Sequence, residues 1–162
     1  LIGFGETGVD GGTREFTYLN IARAYTQGVE STLTLRAPGG LSAALEYTLT
    51  DSLDRDQNRR LGARSPHRAA TRIRYQGEGY LPTLSLQAGW SSRAPSYEDL
   101  DGEGEEDDLV WIAPLTTIDL RMARTLFEGV EAFLGGDNLT NAGDLAQPLR
   151  PRTFYVGLTG NY

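Results

Sequence analysis

The chain has 162 residues and a formal net charge of −7, from 22 acidic side chains against 15 basic ones that are all Arg, and it contains no Lys and no Cys. This excludes a disulfide framework and a thiolate metal site, and an acidic excess without clustered positive charge argues against a nucleic-acid partner. No apolar run approaches the ~18 to 20 residues of a membrane-crossing helix, which excludes a helical membrane protein but not membrane-spanning strands, for which ~9 to 11 residues with every second one apolar suffice.

In chain order, Leu1 to Phe4 reads as the end of a strand that began earlier, so a longer parent chain is expected; the sequence opens without an initiator Met or a secretion signal. Gly3, Gly5, Gly8, Gly11 and Gly12, with Glu6 and Asp10, read as a loop. Thr13 to Arg36 reads as one long strand region, with Val29, Ser31, Leu33 and Leu35 on one face and Gly28, Glu30, Thr32, Thr34 and Arg36 on the other. A turn at Pro38-Gly39-Gly40 leads into Leu41 to Thr50, where Leu41, Ala43, Leu45, Tyr47 and Leu49 oppose Ser42, Ala44, Glu46, Thr48 and Thr50. A polar loop from Asp51 to Pro66 precedes a strand over Ala69 to Gln76, with Ile73 and Tyr75 outward and Arg72, Arg74 and Gln76 inward.

Gly77-Glu78-Gly79 turns the chain into Tyr80 to Ser91, where Leu84, Leu86, Ala88 and Trp90 oppose Thr83, Ser85, Gln87 and Gly89. After a long acidic connection, Ser92 to Asp108, Val110 to Met122 reads as another strand whose upper part Pro114 bends or ends. A short link at Arg124 to Glu128 leads to Val130, Ala132 and Leu134, opposed by Glu131, Phe133 and Gly135, and a loop from Asp137 to Arg150 precedes a closing strand. There Phe154, Val156, Leu158, Gly160 and Tyr162 alternate with Tyr155, Gly157, Thr159 and Asn161.

Two periodicities agree. Connections alternate between short (residues 37–40, 76–79, 123–128) and long (51–66, 91–109, 137–151), the asymmetry of outer-membrane barrels with short turns on one side and long loops on the other. The charged strand residues Glu30, Arg36, Glu46, Arg72, Arg74, Asp119, Arg121 and Glu131 all fall opposite the apolar face, and Arg facing lipid at the midplane would cost roughly 2 to 4 kcal/mol. These eight are expected to face a lumen, where the plainest role is mutual pairing on a wet wall. Tyr80, Trp90, Trp111 and Tyr162 lie near strand ends, where interfacial girdles place aromatics. The fold expected is all-β: an antiparallel up-and-down transmembrane barrel segment of about seven strands plus a stub, incomplete because an open sheet edge cannot sit in lipid.

The tail from Val130 to Tyr162 resembles the C-terminus of TonB-dependent outer-membrane receptors, which carry an Asn-Leu after the penultimate strand, a Pro-Arg before the last and a terminal aromatic. Here those are Asn138-Leu139, Pro151-Arg152 and Tyr162; Asn20, Ala22, Ala24 and Gly28-Val29-Glu30 resemble an earlier strand of the same family. The last strand also resembles the signal read by the barrel assembly machinery, matched by Gly157 and Tyr162 but not by Gly160, where a large apolar residue is usual.

The resemblance implies that residues 1–162 are the C-terminal part of a bacterial outer-membrane barrel of about 22 strands with a plugged lumen, the plug lying outside this chain. It implies uptake of a scarce nutrient of the iron–siderophore or cobalamin class, and no enzymatic activity. Its implied partners are the remaining strands and plug, TonB acting through that plug, outer-membrane lipid and the assembly machinery. A split or degenerate receptor acting as a structural component of an outer-membrane complex, and a soluble calcium-dependent β-sandwich adhesion domain, remain as alternatives.

Candidate chemistry outside that frame is sparse. In Glu98 to Asp108 the carboxylates of Asp99, Asp101, Glu103, Glu105 and Asp107 sit near the spacing of a calcium loop, but Val110 stands where a bidentate Glu is needed; the plain alternative is a solvated outer loop, with no cofactor. Asp54, Asp56 and Asn58 repeat the pattern, with Arg59 where Gly is required. His67 is the sole His and has no nucleophile elbow near it. Asn138-Leu139-Thr140 matches a glycosylation acceptor, though the family's Asn-Leu turn accounts for it better.

Overall fold

In a computed structural model the described residues are 2–10, 13–20, 23–104, 108–143 and 149–160, the first two stretches as strand backbone alone. Every described element is a strand, as the period-two alternation demands. They are β1 (Ile2–Asp10), β2 (Thr13–Asn20), β3 (Ala24–Ala37), β4 (Leu41–Asp54), β5 (Arg59–Arg60), β6 (His67–Tyr75), β7 (Thr83–Ser91), β8 (Ala94–Glu98), β9 (Asp108–Ile112), β10 (Leu115–Phe127), β11 (Val130–Asp137) and β12 (Thr153–Gly160).

Seven of them form one antiparallel meander, in the order β12-β11-β10-β7-β6-β4-β3, with β5 attached to β4. Pairs β1–β2 and β8–β9 form separate two-stranded sheets. In such a meander successive connections fall at opposite ends of the sheet. The turns at residues 38–40, 76–82 and 128–129 therefore share one end, and the connections at 55–66, 92–114 and 138–152 share the other. Gly39 and Gly40, at φ +78° and +80°, make the first short turn, a backbone region that residues with a Cβ seldom adopt.

Several expected boundaries move. Residues 13–36 are two strands, because the chain exchanges partners between them: β2 pairs with β1, whereas β3 pairs with β4 from Ala24↔Asp54 onward. The glycine-rich stretch read as a loop is mostly β1, since glycine can join a strand when the neighbouring backbone supplies the hydrogen bonds. The polar loop opening at Asp51 begins later, because β4 runs on to Asp54. The acidic connection contains the β8–β9 hairpin, so Val110 to Met122 is not one strand; as expected, Pro114 interrupts it, lacking the N–H that a ladder requires. Strand β10 continues through Phe127, past a bulge between Thr125 and Phe127, and leaves only residues 128–129 for the turn.

Neither face of the meander is covered by a second layer. Among the described residues only Leu61, Ala94 and Ala123 are buried hydrophobics, while Val29, Leu33, Phe154, Val156 and Leu158 are 60%, 53%, 71%, 81% and 70% exposed. A soluble sandwich buries one face of each sheet against another; unlike that alternative, this sheet packs against no other sheet among the described residues.

Candidate functional site

Pairing register fixes the faces, because directly paired residues of neighbouring strands point the same way. The apolar face carries Val29, Leu33 and Leu35 on β3; Leu41, Leu45, Tyr47 and Leu49 on β4; Ile73 and Tyr75 on β6; Leu84, Leu86 and Trp90 on β7; Ile118, Leu120 and Met122 on β10; and Leu134, Val156 and Leu158 on the last two strands. The band has definite limits. On β4 it runs from Leu41 to Leu49, ~26 Å along the strand at about 3.3 Å per residue and ~20 Å in height at a tilt of ~40°, within the ~25 Å apolar belt of outer-membrane barrels. Immediately beyond it, still on that face, Gln27 Nε2 and the Tyr25 hydroxyl both donate to Asp51 Oδ2 at 3.2 Å. Within the band Thr71 donates its hydroxyl to the Ala44 carbonyl at 3.2 Å, so its polarity stays internal.

The opposite face gathers all eight expected charges. Glu30 is paired with Thr48, Arg36 with Ser42, Glu46 with Thr32 and Ala70, Arg72 with Ala44 and Gln87, and Arg74 with Ser42 and Ser85. On the far side of β7, Asp119 pairs with Gln87, Arg121 with Ser85 and Gly135, and Glu131 with Thr125. Two diagonal ion pairs form, Arg72 to Glu46 and Arg121 to Glu131, each at 3.4 Å. Both are substantially exposed, so each contributes on the order of 0 to 1 kcal/mol. Arg121 also lies over the Phe133 ring, 4.8 Å from its centroid.

The long-connection end has its own small core. Leu61 and Ala94 are buried, Pro95 is fully so, and Ala63 N–H donates to the Pro95 carbonyl at 2.7 Å, joining the 55–66 connection to the β8–β9 hairpin. Three arginines here rest on aromatic rings: Arg55 over Tyr25 at 5.1 Å, Arg59 over Tyr97 at 4.1 Å and Arg93 over Trp111 at 4.3 Å. Sequence reading missed this set, although each guanidinium needs a ring brought to it by pairing. Trp111, expected in a girdle, belongs to the loop hairpin instead. Trp90 closes β7 at this end, Tyr80 lies in the short connection opposite, and Tyr162 lies outside the described residues.

The acidic tip is organised by its own backbone. Asp99 accepts the Gly102 and Gly104 N–H groups at 2.7 and 2.9 Å, Asp101 that of Glu103 at 3.1 Å, and Asp108 that of Leu100 at 3.1 Å. Among the described residues no three acidic or histidine side chains converge as a metal site would require; Glu105 and Asp107 lie outside them. Asp54 likewise accepts the Asp56 and Gln57 N–H groups, and Asp56 pairs with Arg23 at 4.0 Å. His67 Nδ1 lies 2.7 Å from the Tyr47 hydroxyl, and Ser92 Oγ accepts from the His67 backbone N–H; among the described residues no nucleophile, base and acid line up.

Asn138 ties together the described ends of the last long connection. Its Nδ2 donates to the carbonyls of Ala142 and Arg150, both at 2.8 Å, and its Oδ1 accepts from Ala142 N–H and the Thr140 hydroxyl. Its own N–H donates to Asp119 Oδ1 at 2.7 Å, and its φ of +48° suits Asn. A side chain 6% exposed with both amide hydrogens engaged cannot accept a glycan. In the closing hairpin, glycines face aromatics directly: Gly157↔Phe133, Gly135↔Tyr155 and Gly136↔Phe154. A Cβ on Gly157 would lie 3.0 Å from Phe133 Cε1 and Cε2, closer still to its Cζ, so this glycine is the recess for that ring.

Comparison with known proteins adds the following. A family model described as TonB dependent receptor-like, beta-barrel matches residues 1–139. Among solved structures, the ferric enterobactin receptor of Pseudomonas aeruginosa, as a glycine-to-valine mutant, superposes at TM-score 0.71 and 19% identity over 100% of this chain and 27% of that one. A double mutant of the same receptor matches at 0.69 and 19%, over 97% and 25%. A glutamine-to-alanine mutant in complex with enterobactin matches at 0.69 and 20%, over 98% and 27%. The chain thus spans about a quarter of the length of these solved receptors, and the likeness establishes a shared fold. No curated protein matches it.

Proposed function

This chain belongs to the TonB-dependent receptor-like β-barrel family, and from that membership we propose that it is the C-terminal wall of a bacterial outer-membrane receptor that imports an iron–siderophore complex. The family is one of receptors and not of enzymes. In this reading the apolar band faces lipid, the charged face lines the lumen, the short turns lie in the periplasm and the long connections outside. The remaining strands and a plug complete the barrel, and TonB acts through the plug.

The observation that carries the ligand class is the set of arginines held on rings at the long-connection end, Arg55, Arg59 and Arg93. A ferric siderophore whose donors are catecholates or carboxylates is an anionic complex, and cations whose side chains are already ordered lose less freedom on binding it. The Glu98 to Asp108 carboxylates begin beside Tyr97, the ring under Arg59, whereas Arg93 is separated from Glu98 by the length of β8, ~16 Å for five residues, beyond the ~10 Å screening length at 0.1 M salt. Cobalamin offers no comparable negative charge.

The test is binding and uptake of labelled ferric siderophores by cells carrying the full-length receptor, with Arg55, Arg59 and Arg93 replaced together by Gln. The apparent Kd is expected to rise by at least about tenfold at unchanged surface level. Unaltered affinity for every anionic ferric complex that the wild type imports would overturn the assignment.

A further inference from the structure

Two of the three ring-held arginines share one face of the β8–β9 hairpin. Pro95 pairs with Trp111 and Tyr97 with Leu109, so these four side chains point the same way; Tyr97 and Trp111 are diagonal neighbours, ~7 to 8 Å apart at the backbone. Arg59 lies over Tyr97 at 4.1 Å and Arg93 over Trp111 at 4.3 Å. Glu98 and Asp108 pair with each other on the opposite face. The two cations reach the hairpin from different directions. Arg93 leads directly into β8, whereas Arg59 belongs to β5 and is brought over with the 55–66 connection.

What brings it over is a small lock. Leu61, two residues after Arg59, is buried, and Pro95 is fully so. Ala63 donates its N–H to the Pro95 carbonyl at 2.7 Å, from a φ of +56° that residues with a Cβ seldom adopt. Between them Gly62 passes Tyr97: a Cβ there would meet Cδ2 of the ring at 3.8 Å, an ordinary contact. Arg55 stands apart. Its N–H donates to the Arg23 carbonyl and its guanidinium lies over Tyr25 of β3, so the sheet holds it and not the hairpin.

Deepening the siderophore reading, on which this rests, we propose that the 55–66 connection and the β8–β9 hairpin form one preassembled anion-reading unit. Arg59 and Arg93 are its two contacts with the ferric complex, and Leu61, Ala63 and Pro95 are positioning residues that act through Arg59. A guanidinium stacked on a ring gives its flat face to the aromatic and keeps its N–H donors, which lie in its plane, for the ligand. The lock matters because a connection free to move would have to be ordered when the ligand arrives, at a cost to affinity. The three arginines are therefore not equivalent: releasing the lock removes the contribution of Arg59 and leaves that of Arg55.

The experiment uses the full-length receptor in outer membranes and two readouts. Without ligand, nitroxide labels at the exposed positions Gln57 and Leu100 report the distance between connection and hairpin by pulsed electron resonance. One narrow distribution is expected. It should broaden in Ala63→Pro, which lacks the N–H and cannot adopt a positive φ, and stay narrow in Ala63→Gly, which keeps the donor and suits that φ. The second readout is affinity for whichever probe the wild type binds more tightly, a ferric tris-catecholate or a ferric polycarboxylate. Arg59→Gln and Ala63→Pro should each raise the apparent Kd about fivefold, the effect of one exposed ion pair, and together no more than about fivefold. Ala63→Pro combined with Arg55→Gln should instead multiply to about 25-fold, and Ala63→Gly should bind close to wild type. A broad distribution in the wild type, one that Ala63→Pro leaves unchanged, or effects of Arg59→Gln and Ala63→Pro that multiply would overturn the unit while leaving the siderophore reading intact. Affinity indifferent to Arg55→Gln, Arg59→Gln and Arg93→Gln alike, or no binding of either probe by the wild type, would overturn that reading and the positioning role with it.

Discussion

Adjacent residues on β3 offer the sharpest test of which face meets lipid. Leu33 lies in the middle of the apolar band, four residues from Val29 and from Ala37, ~13 Å along the strand in either direction and ~10 Å in depth at a tilt of ~40°. Replacing it by Arg places a cation near the midplane, at roughly 2 to 4 kcal/mol, and removes the apolar contact with Leu45 opposite. Thr32 points to the other face and is paired with Glu46, so Thr32→Arg gains an exposed partner and changes stability by no more than about 1 kcal/mol. The two variants should therefore differ by at least ~1 kcal/mol, about fivefold in the ratio of folded to unfolded receptor. Urea titration of the full-length protein reconstituted in bilayers, read by heat-modifiable mobility on gels, measures that ratio. Equal midpoints, or a lower midpoint for Thr32→Arg than for Leu33→Arg, would refute the assignment of the faces.

Two further predictions concern the closing strands. Gly157→Val is expected to destabilise the β11–β12 hairpin by about 1 to 3 kcal/mol through overpacking against Phe133, and Phe133→Ala in the same chain should recover most of that loss; additive effects in the double-mutant cycle would show that the ring does not occupy the recess. Asn138→Ala should leave the Ala142 and Arg150 carbonyls without their donor, at about 1 to 3 kcal/mol, and expose the 138–152 connection to protease while the barrel stays folded. Asn138→Gly, which tolerates φ +48°, should lie between wild type and Asn138→Ala in cleavage rate, so equal rates for the two variants would count against the backbone contribution.

Fold class and facing were legible in the residues because a strand's side chains have a period of two. Once Leu41 to Leu49 alternates with Ser42 to Thr50, the side of each charge follows without knowing any partner, and Glu30, Arg74 and Asp119 indeed share a face. The alternation of short and long connections likewise survives as a property of chain order. Strand ends were less legible. Whether Ala24 continues β2 or starts β3, and whether Arg124 ends β10, depends on which backbone lies alongside, and glycine or threonine can serve in strand or loop alike.

What only the tertiary structure decided is lateral neighbourhood. Arg36, Arg74 and Arg121 lie far apart in the chain, and nothing in their spacing announces a common row; the registers of four strand pairs put them there. The same holds for Arg59 on Tyr97, Arg93 on Trp111 and Phe133 against Gly157. Period-two geometry acts along one strand and is written in the local sequence. Register acts between strands, where a shift by two residues keeps every side chain on its face and yet changes every neighbour.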